Sequence, residues 1–329
     1  GMAERLRALG CWDGGDVSIV STHDVKDSLQ LGEGRTNQNF VAELGGRRFF
    51  VRLGDDLPYF AVSRPREQAA SRAAAAAELA PAVHYTEPPD ILVLEFVDGR
   101  ALTQADVRRA AAAGPGDPLL GRITQVIRRL HATPIPEELT KFAAEVGGPL
   151  CWGGPHFTKW LAYAEEQGFS RVPLLELVRE LVARLERAAG PLSEEATPPR
   201  FCHWDLLADN LVLRRDGAVL LVDFEYSAPG QPLMDLAVLS MGCSLAPEEE
   251  KNLLASYLET DVSDAQLYRF KALKVLAALR ETLWGTTAEL SGSSSISLED
   301  ARAYVDANFA KLRQTRADFE GLQVPAGCA

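Results

Sequence analysis

The 329-residue chain lacks paired cysteines, long apolar runs and basic tracts, and each absence removes a class of function. Cys11, Cys151, Cys202, Cys243 and Cys328 are scattered and odd in number, with no Cys-x-x-Cys and no Cys/His cluster. Neither a zinc site nor a disulfide framework is expected, and reduced thiols in a cytoplasmic protein are the plain reading. No apolar stretch approaches the roughly 18 residues of a membrane span, and no secretory leader opens the sequence; Gly1 before Met2 reads as a processing scar. The net charge is -12 and no cationic stripe follows a phosphate backbone, which argues against nucleic acid as a partner. An acidic surface serves solubility and would also suit a cationic small molecule. Lysine is missing between Lys26 and Lys141, a gap with chemical consequences below.

What is present is ordinary globular material: 47% hydrophobic and 24% charged residues, in a chain long enough for two lobes. The first hundred residues read mainly as strands. Val17 to Val20 is β-branched; Asn39 to Leu44 and Arg48 to Leu53 flank Gly45-Gly46, a tight hairpin turn. Pro65 to Leu79 turns helical, with Pro65 near the first turn. Val83 to Tyr85 and Ile91 to Phe96 form a second hairpin across Pro88-Pro89-Asp90. After Val97-Asp98-Gly99-Arg100 nearly everything is helical, from Gln104 to Ala112 through to Leu298 to Phe319. Two short strands interrupt it, Leu211 to Leu213 and Val219 to Val222. The expected architecture is α+β and two-lobed: residues 1–96 a small sheet-plus-helix lobe that binds nucleotide, residues 97–329 a larger, mainly helical lobe.

Chemistry concentrates in two stretches. His203-Trp204-Asp205-Leu206-Leu207-Ala208-Asp209-Asn210 spells His-x-Asp-x-x-x-x-Asn, the pattern of a kinase catalytic loop. Val222-Asp223-Phe224-Glu225-Tyr226 follows, its Asp thirteen residues after the Asn and at the end of an apolar run. Phosphoryl transfer asks a protein for alignment and charge neutralisation. Asp205 is the expected base; Asn210 and Asp223 offer hard oxygen donors to Mg²⁺; His203 reads as an internal brace of the loop. On the nucleotide side, Leu31-Gly32-Glu33-Gly34-Arg35-Thr36-Asn37-Gln38-Asn39 lets backbone N–H groups approach phosphate. The following strand normally supplies a lysine. Here Arg52 is the well-placed cation, and arginine binds phosphate bidentately while pairing with a carboxylate. Glu67 is its expected partner, with Glu78 the competitor eleven residues on. Only twelve residues separate Asp223 from Asp235, and no Ala-Pro-Glu anchor follows, so a peptide platform is excluded and the acceptor should be small.

With Thr36-Asn37-Gln38-Asn39-Phe40, Phe50-Val51-Arg52, His203-x-Asp205-x-x-x-x-Asn210, Asp223-Phe224-Glu225-Tyr226 and Asp235-Leu236-Ala237, the chain resembles the choline/ethanolamine kinase branch of the aminoglycoside-phosphotransferase-like kinases. The resemblance covers about residues 30 to 290 and implies a protein-kinase-like fold and ATP-dependent transfer to the hydroxyl of a small, cationic amino alcohol. It implies that Asp235 stabilises the catalytic loop and that residues 95 to 98, Glu95 and Val97 among them, form the hinge that meets adenine through backbone groups. It also implies that Tyr226 and Trp284 line an acceptor pocket, since aromatic faces backed by carboxylates hold a quaternary ammonium. Two departures stand out. Eukaryotic choline kinases carry a second tryptophan where this chain has Glu281, and an acidic residue seven positions after Asp235 is replaced by Gly242. Trp152, Trp160, Tyr163 and Glu225 are alternative cage residues, with core packing the simpler fate of both tryptophans. An aminoglycoside, thiamine or sugar acceptor is the alternative within the same chemistry. A catalytically silent nucleotide-binding regulator is the alternative outside it.

Overall fold

The computed structural model describes residues 2–21, 37–145, 154–189, 198–292 and 296–326. The chain opens with helix α1 (Met2–Arg7) and strand β1 (Ser18–Ser21), then β2 (Gln38–Leu44) and β3 (Arg47–Leu53). Gly45 and Gly46 join β2 to β3 with φ of 57° and 77°, two left-handed residues whose twist matches that of the strands they connect. Helix α2 (Arg64–Ala76) begins with Pro65, whose missing N–H costs nothing in a first turn. Strands β4 (Val83–Glu87) and β5 (Ile91–Glu95) complete an antiparallel five-stranded sheet in the order β1-β2-β3-β5-β4.

Strand periodicity sorts this sheet into two working faces. Phe49, Val51, Leu53, Ile91 and Val93 point to a small core closed by Leu6, Leu9 and Trp12 of the N-terminal segment. Trp12 is anchored there by an Nε1–H bond of 2.7 Å to the Leu6 carbonyl. The alternate residues, Phe50, Arg52, Leu92 and Leu94, face an open cleft.

The chain leaves β5 at Glu95 and enters β6 (Gly99–Ala101), the first element of the helical lobe. Gly99 lies so close to β8 that a Cβ would meet the Leu213 carbonyl oxygen at 2.4 Å. There follow α3 (Gln104–Ala113), α4 (Pro118–Ala132), α5 (Glu137–Glu145), α6 (Gly154–Glu166) and α7 (Leu174–Ala189). Thr103 and Asp106 cap α3 reciprocally, and Asp117 caps α4. Next come β7 (Arg200–Cys202), β8 (Leu211–Arg214), β9 (Val219–Leu221) and β10 (Ala228–Gly230), paired as β6-β8-β9 and β10-β7. Helices α8 (Pro232–Cys243), α9 (Pro247–Leu258), α10 (Asp264–Ser291) and α11 (Leu298–Glu320) close the lobe. α10 packs against α6, α7, α8 and α11 and is buried without interruption from Ala272 to Ala288. A helix apolar all round is a core helix; the charged residues within that stretch therefore need partners.

The α+β, two-lobed expectation holds, and helix and strand ends agree within a few residues. The short elements α1, α5, β6, β7 and β10 were not anticipated. Helices of six and nine residues, and three-residue strands with no longer apolar run such as Val219 to Val222 to mark them, are too brief for periodicity to register. None of the described helices is long and apolar enough to cross a membrane.

Candidate active site

The cleft between the lobes has a volume of about 690 Å³ and is walled by Arg52 and Glu67 above and by Asp205, Asn210 and Asp223 below. That is within the range of small-molecule sites. Its floor is shaped by Asp235, fully buried in the first turn of α8. One carboxylate oxygen accepts the His203 N–H at 2.8 Å and lies 3.0 Å from His131 Nε2; the other accepts the Trp204 N–H at 2.8 Å. These bonds hold the loop after β7 in a shape that puts Trp204 at φ 65°. Burial alone would raise the Asp235 pKa, but His131 and the backbone donors outweigh it, so the group stays ionised. Cys202, His131 and Asp235 approach one another in the interior. Both nitrogens of His131 are engaged, by Tyr257 and Asp235, and both Asp235 oxygens are taken, so the cluster is a hydrogen-bonded brace.

His203 accepts the Asp205 N–H on Nδ1 at 3.3 Å, which leaves Nε2–H to donate to the Val222 carbonyl at 2.8 Å. Burial lowers its pKa despite the nearby Asp235 charge, as suits a neutral ring tying the loop to the strand that ends before Asp223. Asn210 donates from Nδ2 to the Asp205 carbonyl at 2.7 Å and to Asp205 Oδ2 at 3.3 Å. Asp223 follows β9 with φ 67° and a side chain 27% exposed toward the cleft. Asp205, Asn210 and Asp223 thus border one opening.

Above them runs a buried chain of alternating charge. Arg52 donates to Asp223 at 2.8 Å and to Glu67; Arg64 donates to Glu67 at 2.7 Å and to Glu225 at 3.0 Å. Glu67, not Glu78, is therefore the partner of Arg52; Glu78 lies past the end of α2 with φ 58° and is exposed. Desolvation opposes the charge on Asp223, yet Arg52 brings its pKa below the ordinary value. Glu225 goes the other way. Burial and the Asp223 charge push it up to about 7 against the pull of Arg64.

At the far end of the cleft Trp284 donates from Nε1 to Tyr226 Oη at 2.8 Å and stacks edge-on against Tyr304. Glu281 accepts from Arg280 Nη1 at 2.6 Å and from Tyr304 Oη at 2.7 Å. Trp160 is fully buried beneath Tyr226 and belongs to the core, as does its neighbour His156. Tyr163 pairs with Tyr59 at the surface, outside the cleft. Of the segment expected to face phosphate, Asn37 and Asn39 are described and Asn39 borders the cleft; Gly34 and Thr36, and Trp152 of the suggested cage, lie outside the described residues. Between the lobes, the Glu95 N–H donates to Ala82 and the Phe96 N–H to Arg48. Val97 keeps an N–H with no backbone acceptor among the described residues.

Arg64, His131, Arg280 and Tyr304 were not foreseen. Arg280 carried a signal, being one of few cations inside the apolar stretch of α10. Arg64 and His131 sit in helices whose inward face only tertiary packing selects.

A five-stranded antiparallel lobe over a helical lobe, with a charged cleft between them, is the protein-kinase-like phosphotransferase architecture. The chain belongs to the phosphotransferase enzyme family, whose model matches residues 28–273. It is similar to the homoserine kinase of Pseudomonas aeruginosa, 27% identical over 247 residues that cover 71% of this chain and 72% of the relative. In fold it is similar to a choline/ethanolamine kinase family protein from Mesorhizobium loti, 24% identical, covering 97% of this chain and 95% of that one, with a TM-score of 0.68. The choline kinase LicA of Streptococcus pneumoniae is 19% identical, covers 92% of this chain and 94% of that one, and gives a TM-score of 0.65. Aminoglycoside phosphotransferases share the fold as well.

Proposed function

We propose that this chain is a kinase that transfers the γ-phosphoryl group of ATP to the hydroxyl of a small amino alcohol of the choline/ethanolamine type. The observation that carries the reading is the meeting of Asp205, Asn210 and Asp223 at one cleft, opposite the Arg52–Glu67 pair. Asp205 takes the acceptor's proton as the acceptor oxygen bonds to the γ-phosphorus. The bond from that phosphorus to the β–γ bridging oxygen breaks, and ADP leaves with the electron pair. Burial, reinforced by the Glu281 charge, raises the Asp205 pKa well above an ordinary carboxylate, which makes it a stronger base.

Asn210 and Asp223 would hold Mg²⁺. They fit, because both present hard oxygens to the cleft and Asn210 spends its Nδ2 on Asp205, which turns Oδ1 away from that contact. When bound, the ion neutralises charge on the β- and γ-phosphates. Arg52, held by Glu67, serves the α- and β-phosphates; Gly34, Thr36, Asn37 and Asn39 are assigned to the same phosphates from the sequence. Glu95 and Val97 meet the adenine, for which the Val97 N–H is suited. His203 and Asp235 position Asp205 without touching substrate. Glu225, Tyr226, Glu281 and Trp284 receive the acceptor, whose ammonium suits an aromatic wall backed by carboxylates. The domain boundary falls at residues 96–97 on this reading.

The test is a screen of choline, ethanolamine, thiamine, kanamycin and hexosamines with ATP and Mg²⁺, following ADP release and phosphorylated product. Asp205→Ala should lower turnover by about 10²–10⁴-fold while ATP affinity stays within a few-fold. A variant with near-normal turnover removes Asp205 from the chemistry.

A further inference from the structure

The acceptor end of the cleft holds a cation that an amino alcohol does not explain. Arg280 borders the cleft beside Glu281 and Trp284, yet its side chain is only 1% exposed. Its guanidinium lies against two rings, 5.0 Å from the centroid of Trp160 and 5.5 Å from that of Tyr226. Nη1 donates to Glu281; Nε and Nη2 find no acceptor among the described residues. Glu281 bonds instead to Nη1 and to the Tyr304 hydroxyl. Buried guanidinium donors without acceptors are uncommon, since desolvation is not recovered unless a bond replaces water.

The surroundings repeat the same imbalance. Arg66 Nε and Nη1, Trp160 Nε1 and both ring nitrogens of His156 are also buried without partners among the described residues. His156, Trp160 and Arg280 pack against the Tyr226 ring, and Arg66 donates from Nη2 to the neighbouring Glu225 carbonyl. Donors outnumber acceptors there. Arg280 is the member of the set that reaches the cleft. A ligand with positive charge alone would meet Glu225 and Glu281 but would also face this guanidinium. A zwitterion satisfies both signs.

We propose that Arg280 binds a carboxylate on the acceptor, so that the substrate class is a hydroxy-amino acid in which the same molecule carries the reacting hydroxyl, an ammonium and an anionic group. The inference rests on the kinase reading above, keeps its hydroxyl and ammonium, and replaces the plain amino alcohol by an acceptor that also carries a carboxylate. Arginine suits the task because its planar fork matches a carboxylate, and two of its donors are uncommitted. The ammonium falls to the aromatic and acidic wall of Trp284 and Glu225, and the hydroxyl to Asp205. A pocket that hydrogen-bonds a polar substituent rejects the analogue lacking it far more strongly than an apolar pocket discriminates by size.

The experiment uses matched pairs that differ only in the carboxylate: L-serine with ethanolamine, and 2-amino-4-hydroxybutanoate with 3-aminopropan-1-ol. Full-length enzyme with ATP and Mg²⁺ should favour the carboxylate member of at least one pair by 100-fold or more in kcat/KM. Arg280→Met should remove most of that preference, chiefly through KM, and Arg280→Lys should restore part of it. Equal or better use of the amino alcohols by the unaltered enzyme overturns the proposal, whatever the variants do. So does an Arg280→Met effect of the same size on both members of a pair. Calorimetric titration of the same compounds into the Mg·ADP enzyme separates this claim from the kinase reading. Carboxylate-dependent binding without any phosphorylated product keeps the Arg280 subsite and removes the reaction; absence of carboxylate-dependent binding in both pairs removes the subsite.

Discussion

At the scale of single residues, the cleft works through opposed electrostatic environments. Asp205 and Glu225 are raised by burial, while Asp223 is lowered by Arg52 despite burial, so neighbouring carboxylates differ in their readiness to hold a proton. Asp205, as the proposed base, must lose its proton to act. Turnover should therefore fall on the acid side at a higher pH than about 4, where an ordinary aspartate titrates. Glu281 contributes to that raising through its charge, so Glu281→Gln should move the acid limb of kcat to lower pH. A pH–rate profile checks both the position and the sign. His156 gives a stability counterpart. Burial, with Arg66 and Arg280 nearby, holds its pKa well below the ordinary value, so the folded protein keeps it neutral. The unfolded chain takes up a proton below about pH 6.5 and the folded chain does not, so stability falls as pH drops through that value, by up to about 1.4 kcal/mol per unit. His156→Phe preserves ring packing and should flatten this slope between pH 6.5 and 5 in urea titrations.

At the scale of elements, the loop bearing Asp205 is held by α8 through Asp235, by α4 through the bond of His131 to that same Asp235, and by β10 through close packing. Gly230 is the tightest of these contacts. A Cβ there would stand 2.4 Å from the Trp204 ring, whose Nε1–H bonds to the Ala228 carbonyl at 3.1 Å. Gly230→Ala must displace an indole buried beside the proposed base. We expect a loss of about 1–3 kcal/mol in stability and a larger drop in kcat than in ATP affinity, measured by denaturant unfolding and steady-state kinetics. The loop's spacing was readable from the linear order, because His203, Asp205 and Asn210 bond to one another or to the next strand within twenty residues. The hairpin at Gly45-Gly46 was readable for the same reason. Its two positive φ angles are a local demand that glycine meets without strain.

At the scale of the whole molecule, the two lobes are joined across the cleft by the chain Asp223–Arg52–Glu67–Arg64–Glu225. Glu67 carries both arginines. Glu67→Gln would leave two buried guanidinium groups facing one neutral amide, and loss of one partner in such pairs costs about 3–5 kcal/mol. The expected result is lower thermal stability together with a raised KM for ATP, because Arg52 loses the anchor that aims it. Unchanged ATP kinetics would separate the ion chain from nucleotide binding.

Residue order alone was enough for the lobes' composition, the His-x-Asp-x-x-x-x-Asn spacing and the placing of Arg52 on a strand beside the cleft. Those features rest on short-range rules, the period-2 sorting of strands and the offsets of a loop whose members bond locally. Packing alone chose Glu67 over Glu78, put Arg64 between two carboxylates and carried Tyr304 of the last helix to Glu281. An inward-facing side chain on a helix announces its face but not its neighbour, and neighbours drawn from segments tens to hundreds of residues apart exist only once the chain has closed on itself.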